Sequence, residues 1–426
     1  MPGGPDLLIP ETRVPACLLG GRDGEDGEVT VDIEIKGGKI AAISEPGTTA
    51  KSSLPTLSAG MVWPGFVDLH THLDKGHIWP RAENPDGTFE GALETVRADR
   101  RANWSADDVR RRFDFGLRSA YAHGTVAIRT HLDCEPPQHR ISFSVFRELR
   151  EAWADRIALQ AVSLLPIDRM NEPFGSEIAD LVQEAGGVLG AVTFMVPDLD
   201  IRLDRLFHLA AERGLDLDFH VDETSDPEAT SLGAIALAAV RCRFPGKIVC
   251  GHCCSLAQQP PRVVAETLDL VHEAGIAVVS LPMCNLYLQD RTPGRTPRWR
   301  GITLLHELAA QGTAVALASD NCRDPFYAYG DHDMLEVFRE AVRIGHLDRP
   351  FGTWPRAVTA TPADVMGFAH QGRIAPGAPA DLVLFQARNP NELLSRPQKD
   401  RIVLRAGRPI DRTLPDYREL DDLFMT

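Results

Sequence analysis

The residues in this 426-residue chain most able to do chemistry are histidines and acids at the ends of short apolar runs. His70-Thr71-His72 closes GFVDLHTH (65–72), and His131 and Asp133 close TVAIRTHLD (125–133). His220 and Asp222 close LDLDFHVD (215–222), with Glu223 next in sequence. His252 closes KIVCGHC (247–253), and Asp320 closes TAVALASD (313–320). Residues two apart on a strand face the same side, so the rings of His70 and His72 point together. A single strand-end His is more simply a hydrogen-bonded core residue. Five of the chain's 14 His, with Asp320, recurring at equivalent positions call for a common centre. Neutral imidazoles plus one carboxylate suit Zn²⁺ or Fe²⁺, whereas Mg²⁺ and Ca²⁺ prefer oxygen ligands. Such an ion lowers the pKa of bound water to about 7 and makes hydroxide available. A His beyond the ligand set orients that water or polarises the substrate. Glu223 is placed to shuttle protons.

These side chains need a scaffold that brings them to one rim. Eight strand-like runs are present, the five above together with IALQAVSLL (157–165), VLGAVTFMV (188–196) and IAVVSLP (276–282). Helical patterns separate them, among them SADDVRRRFDFGLRSAYAHG (105–124), with Ser105 as N-cap and Gly124 as stop, and LDRLFHLAAERG (203–214). Eight such units predict a (β/α)8 TIM barrel, in which chemistry sits at the C-terminal strand ends. A doubly wound open sheet would carry a Gly-rich first turn, and none follows the first run. None of the six lysines lies in or just after the fourth run, so no lysine there can bridge two metals; one ion per subunit is expected.

The chain ends have another rhythm. VTVDIEIKGGKIAAIS (29–44) alternates and turns at Gly37–Gly38, the pattern of a β-hairpin, and ADLVLFQ (380–386) and RIVLRAGRPI (401–410) repeat the style. The expectation is a small composite β-sandwich from 1–63 plus 371–426, flanking a catalytic α/β barrel over 64–370.

Lys+Arg total 45 against 60 Asp+Glu, a net charge of −15, which disfavours nucleic-acid and anionic-membrane partners. No apolar run reaches the ~18–20 residues of a spanning helix. The start, MPGGPDLLIP, lacks the basic and apolar regions of a secretory signal. The eight Cys are read as reduced thiols in a cytoplasmic protein, with Cys134, Cys253, Cys254, Cys284 and Cys322, all near strand ends, as inert buried groups. His77 follows the first-strand motif, and His332, in a loop, is read as structural. The basic loop TPGRTPRWRG (292–301) is read as a lid or oligomer contact.

PGFVDLHTHLD (64–74) resembles the first-strand motif of the amidohydrolase superfamily, and PGAPADLVLF (376–385) resembles its return strand. HVDETSDPE (220–228), NLYLQDR (285–291), RWRGITLLHEL (298–308) and ASDNCRDPFYAYG (318–330) extend the resemblance to the bacterial cytosine deaminase branch, over most of the chain. The resemblance implies that His70, His72, His220 and Asp320 bind one divalent ion, Zn or Fe. It gives His252 the attacking water or tetrahedral centre, Glu223 the proton transfers, and His131 and Asp133 supporting positions. Asp74 is expected to buttress a metal-binding His or its loop. The implied activity is hydrolytic deamination of an amino-substituted N-heterocycle of the cytosine kind by metal-activated hydroxide, in a homo-oligomer. Ile167 stands where those enzymes carry a pyrimidine-reading Gln, Asn321 where they carry a second Asp, and Phe326 where they carry a pocket Trp. Lys75 is either a substrate contact or a salt-bridge partner. These departures keep isocytosine, creatinine, pterin, triazine N-dealkylation and cyclic-amide opening as alternatives.

Overall fold

Fifteen strands are present in the computed structural model, which describes residues 5–48, 54–170 and 173–425; the first four residues of the MPGGPDLLIP segment lie outside that set. In chain order they are β1 (Leu7–Pro15), β2 (Glu28–Lys36), β3 (Lys39–Ser44), β4 (Met61–Pro64), β5 (Phe66–Thr71), β6 (Thr125–Asp133), β7 (Ala158–Leu164) and β8 (Leu189–Thr193). They continue with β9 (Leu217–Val221), β10 (Ile248–His252), β11 (Ala277–Ser280), β12 (Val315–Leu317), β13 (Leu382–Phe385), β14 (Ile402–Arg405) and β15 (Arg408–Pro409). Strands β5 to β12 are the eight expected runs. They pair in parallel as β5-β6-β7 and β8-β9-β10-β11-β12. Bridges Val162–Val188 and Pro166–Val192 join the two sets, and Thr71–Asp320 closes the ring. The seam is strengthened from inside: Asp320 N donates to His70 O at 2.9 Å, Thr71 Oγ1 donates to Asp320 O at 2.7 Å, and Ser319 N donates to Asp68 at 3.1 Å.

Local chemistry sets the helix bounds as read. Ser105 accepts from Asp108 N at the start of the helix Ala106–His123, and Gly124 ends it at φ 105°, where a side chain would be strained. The helix Leu199–Arg213 likewise stops at Gly214.

Both chain ends contribute to a second β unit, built as one continuous sheet in the order β15-β14-β13-β4-β1-β2-β3. The ends meet where β4 pairs antiparallel with β13, Val383 opposite Trp63. Trp63 is fully buried, its ring edge-on to Phe338 at 5.4 Å, which packs the sheet against a barrel helix. The hairpin β2–β3 turns at Gly37–Gly38. No helix among the described residues is long and apolar enough to cross a membrane.

Candidate active site

Strand ends deliver the catalytic-type side chains to one rim. His70 is the last but one residue of β5, His220 lies in β9, and His252 is the last residue of β10. His252 and Asp320 hold left-handed backbone, at φ 67° and 60°. Such non-glycine conformations cost about 1–3 kcal/mol and persist where the surroundings impose them. Here they turn the chain out of the barrel while aiming the side chains inward.

Four ligand-type atoms converge. Nε2 of His220 lies 3.1 Å from Nε2 of His70 and 3.3 Å from Nε2 of His72. Oδ1 of Asp320 lies 3.5 Å from Nε2 of His70 and 3.2 Å from Nε2 of His72. Four ligands bound tetrahedrally at about 2.0–2.1 Å are spaced about 3.3 Å apart, the spacing seen here. Both carboxylate oxygens of Asp320 are buried without a hydrogen-bond partner. Burial, ahead of neighbouring charged groups, holds the three imidazoles well below the ordinary histidine value, so they are neutral ligands. Burial also pushes Asp320 up to about 7. The group therefore fits one divalent cation, and three nitrogens with one oxygen favour zinc or iron over calcium.

Beside this cluster, Asn285 links the two remaining polar groups. Its Nδ2 donates to Glu223 Oε1 at 3.0 Å and lies 3.0 Å from His252 Nδ1. Accepting there leaves His252 with its proton on Nε2, a buried atom with no other partner. Burial lowers His252 to about 3, so the ring is neutral. Glu223 is pushed well above the ordinary carboxylate value by burial first and by Asp320 second, with Lys75 and Asn285 opposing. The arrangement thus holds a protonatable carboxyl and an N–H donor on one side of a metal-type cluster. Asn285 lies within NLYLQDR but carried no separate role in the sequence reading, because a single Asn in a helix gives no spacing signal.

The other residues named from sequence fall in distinct places. His131 packs against His70 with ring centroids 3.9 Å apart, and its Nε2 is 3.3 Å from Asp218, which also holds Arg129. Asp74 accepts from Asp133 N and Ser142 Oγ, each at 2.9 Å, so it fastens the loop after β5 to the end of β6. Asp133 accepts from Arg100 at 2.8 Å and pairs with Lys75 at 3.1 Å. Lys75 lines the cavity as well, 5.2 Å from the Phe326 ring. Burial alone would lower this ammonium, but Asp133, Asp74 and Asp324 outweigh it and raise it, so the charge persists. Asn321 lines the cavity and donates to Asp324 at 2.7 Å; Asp324 in turn accepts from Phe326 N and Tyr327 N and so shapes the loop. Phe326 lines it and meets Phe89 edge-on at 5.4 Å.

Ile167 departs from expectation. Its side chain is wholly buried in the core, and Pro166, Asp168 and Arg169 line the cavity instead. The short 3-10 turn Ile167–Arg169 rotates an apolar side chain away from the opening. Cys250 and Cys253 stand at a C-x-x-C spacing, but both are buried free thiols, and burial raises them.

The cavity over the cluster measures about 1460 Å³ and is walled by His72, His220, His252, Asp320 and Glu223 at its floor. Arg97, Arg100, Arg101 and Arg169 line it further out. These features define a barrel hydrolase, and the sequence comparison agrees: the model of the amidohydrolase family matches residues 170–411. The chain belongs to the amidohydrolase family and is a hydrolase acting on carbon–nitrogen bonds. It is 59% identical over 424 residues to the pterin deaminase of Rhizobium rhizogenes, covering 99% of this chain and 97% of that one. It is 25% identical over 395 residues to the N-isopropylammelide isopropyl amidohydrolase of a Pseudomonas species, covering 89% and 93%. The structure of 5-methylcytosine deaminase from Klebsiella pneumoniae with 5-fluorocytosine superposes with a TM-score of 0.81 at 22% identity, covering 96% of this chain and 98% of that one.

Proposed function

We propose that this enzyme is a metal-dependent hydrolytic deaminase of a pterin-type base, a fused two-ring heterocycle whose amino group sits on a ring carbon between two nitrogens. The single observation that carries the ring assignment is the 59% identity to a pterin deaminase across 99% of the chain. The cavity supports it: about 1460 Å³ exceeds the ~300–1,000 Å³ of usual small-molecule pockets and accommodates two fused rings. A cytosine-like base, implied by the branch resemblance, is the second reading, favoured by the overall likeness to the 5-methylcytosine deaminase fold.

His70, His72, His220 and Asp320 would hold the ion. When bound, it supplies Lewis acidity and makes water available as hydroxide near neutral pH. Asp320, with two otherwise unpartnered oxygens, takes a proton from the attacking water. Glu223 donates a proton to the ring nitrogen next to the amino-bearing carbon, which makes that carbon electrophilic. His252 presents Nε2–H to the oxygen being added. Water thus adds across the ring C=N bond, a proton passes to the exocyclic nitrogen, and ammonia leaves a ring carbonyl behind. Phe326 and Phe89 offer faces for the rings, and Lys75 offers a fixed positive charge beside them.

The test is ammonia release, with the ring chromophore followed in parallel, across pterin, cytosine, isocytosine, creatinine and an N-alkyl aminotriazine. Pterin is expected to have the highest kcat/KM by at least about tenfold; a higher value for cytosine reverses the assignment. A second expectation concerns Asn285. Asn285→Ala leaves Glu223 and His252 without their shared donor and frees the His252 tautomer. Turnover is expected to fall about 10–100-fold with metal content unchanged, the usual scale for partners that orient a working side chain. Wild-type kcat in that variant would remove Asn285 from the scheme.

A further inference from the structure

A second cluster of ligand-type side chains lies in the loops beyond β5 and β12. The ligand atoms of His77, Cys322 and His332 all lie within 4.8 Å of one another. The three residues are 2%, 2% and 3% exposed. Both ring nitrogens of His77 and both of His332 are buried with no hydrogen-bond partner. A neutral imidazole carries one N–H and one bare nitrogen, so four such positions in one pocket are a poor use of burial unless something else engages them. Buried His123 and His139 instead place a ring nitrogen 2.8 Å from Asp331 and 3.1 Å from Glu177.

The geometry resembles that of the catalytic cluster. The rings of His77 and His332 have centroids 5.9 Å apart, against 5.4 Å for His70 and His72 and 5.2 Å for His72 and His220. His77 N donates to Cys322 O at 3.0 Å, so two of the three residues are already joined through the backbone. Gly116 faces His332; a Cβ there would stand 3.1 Å from its Nε2, and glycine keeps that side of the ring open. Two imidazoles and a thiolate are the donor set of zinc, not of calcium or magnesium.

We propose that His77, Cys322 and His332 form a second, structural zinc site, separate from the catalytic one. Binding would form two Zn–N bonds and one Zn–S bond, with a water in the fourth position of the tetrahedron, and the Cys322 thiol proton would pass to solvent. The ion pins the loop after β5, which carries Lys75, to the loop after β12, which carries Asn321 and Phe326. It therefore braces the barrel seam where it borders the substrate cavity. The site does not depend on which ring the enzyme deaminates.

Cobalt(II) loading of metal-stripped protein tests the assignment. The catalytic donors include no sulfur, so a near-ultraviolet thiolate-to-cobalt charge-transfer band reports a cysteine ligand. The band is expected in the wild type and in His220→Ala, and absent in Cys322→Ser and His332→Gln. It is expected to survive in Cys284→Ser, the control for the thiol grouped with Glu223 and Asp320. Bound metal should fall by one equivalent in Cys322→Ser. No band in the wild type, or a band that survives Cys322→Ser, overturns the proposal. Should the Cys322 variant fail to fold, zinc X-ray absorption on His220→Ala decides: one sulfur scatterer at about 2.3 Å is expected, and a shell of nitrogen and oxygen alone overturns it.

Discussion

His220→Ala is expected to lose the catalytic ion and to lower turnover by about 10³-fold or more. His220 Nε2 is the shared neighbour in the cluster, 3.1 Å from His70 Nε2 and 3.3 Å from His72 Nε2. Removing it leaves two nitrogens and one carboxylate oxygen, an open set that binds zinc or iron more weakly. The lost Lewis acidity is worth several kcal/mol of transition-state stabilisation, and each 1.36 kcal/mol is a factor of ten. The fold should survive, because the barrel seam at Asp320 is held by backbone bonds to His70 and by Thr71, not by the His220 ring. Metal analysis and ammonia release on the same preparation check this, with circular dichroism as the folding control. A chelator should silence the wild type in parallel, and added zinc or iron(II) should restore it. An Ala variant that keeps its full metal complement and its rate would rule out His220 as a ligand.

Much of this site was legible because strand periodicity and barrel topology work together. An i, i+2 pair such as His70 and His72 shows its shared face in the sequence, and a barrel collects strand ends on one rim. What stayed hidden depends on tertiary contacts with no local signature. Asn285 acts by reaching Glu223 and His252, 62 and 33 residues away. Asp324 acts through backbone amides two and three residues ahead, a loop device with no fixed pattern. Ile167 was placed in the cavity by its position after Pro166, whereas one turn of 3-10 helix sends it into the core. Strand β1 was missed for a different reason. Its Pro10 lies in LLIPETRVP, and proline argues against a strand interior. The register shift between Ile9 and Thr12, with Glu11 at φ 49°, places that proline in a bulge where no ladder N–H is required.

In the proposed mechanism, the electrostatics give the acid a role of its own beside the metal. The buried imidazoles of the cluster are held neutral, so none of them is a proton source at neutral pH. Lys75 keeps its charge among Asp133, Asp74 and Asp324, and its proton is held by those partners. Asp320, pushed up to about 7, is assigned to the ion and to the proton of the attacking water; among the other groups at the cavity floor this leaves the Glu223 carboxyl, raised by burial and by Asp320, to carry a proton to the ring and give it up.

Glu223→Gln is accordingly expected to cut turnover about 10²–10⁴-fold, the range for loss of a positioned general acid–base group, while metal content stays at the wild-type level. Glutamine retains the shape and can still accept from Asn285, so the change removes proton transfer and little else. The pH dependence supplies an independent signature. A carboxyl whose pKa is raised keeps its proton below that raised value and loses it as pH rises through it, so activity requiring the proton falls on the alkaline side. A divalent ion on Asp320 offsets the repulsion between the two carboxylates but not the larger cause, which is burial. The wild type should therefore show an alkaline limb, and the small residual rate of the Gln variant should lack it. Steady-state kinetics across pH, with metal measured on each sample, separates the outcomes. A Gln variant within tenfold of the wild type, with the limb intact, would move the proton transfers to another group; His252, held neutral with its N–H toward the cavity, is in position to take them only if Asn285 releases its Nδ1.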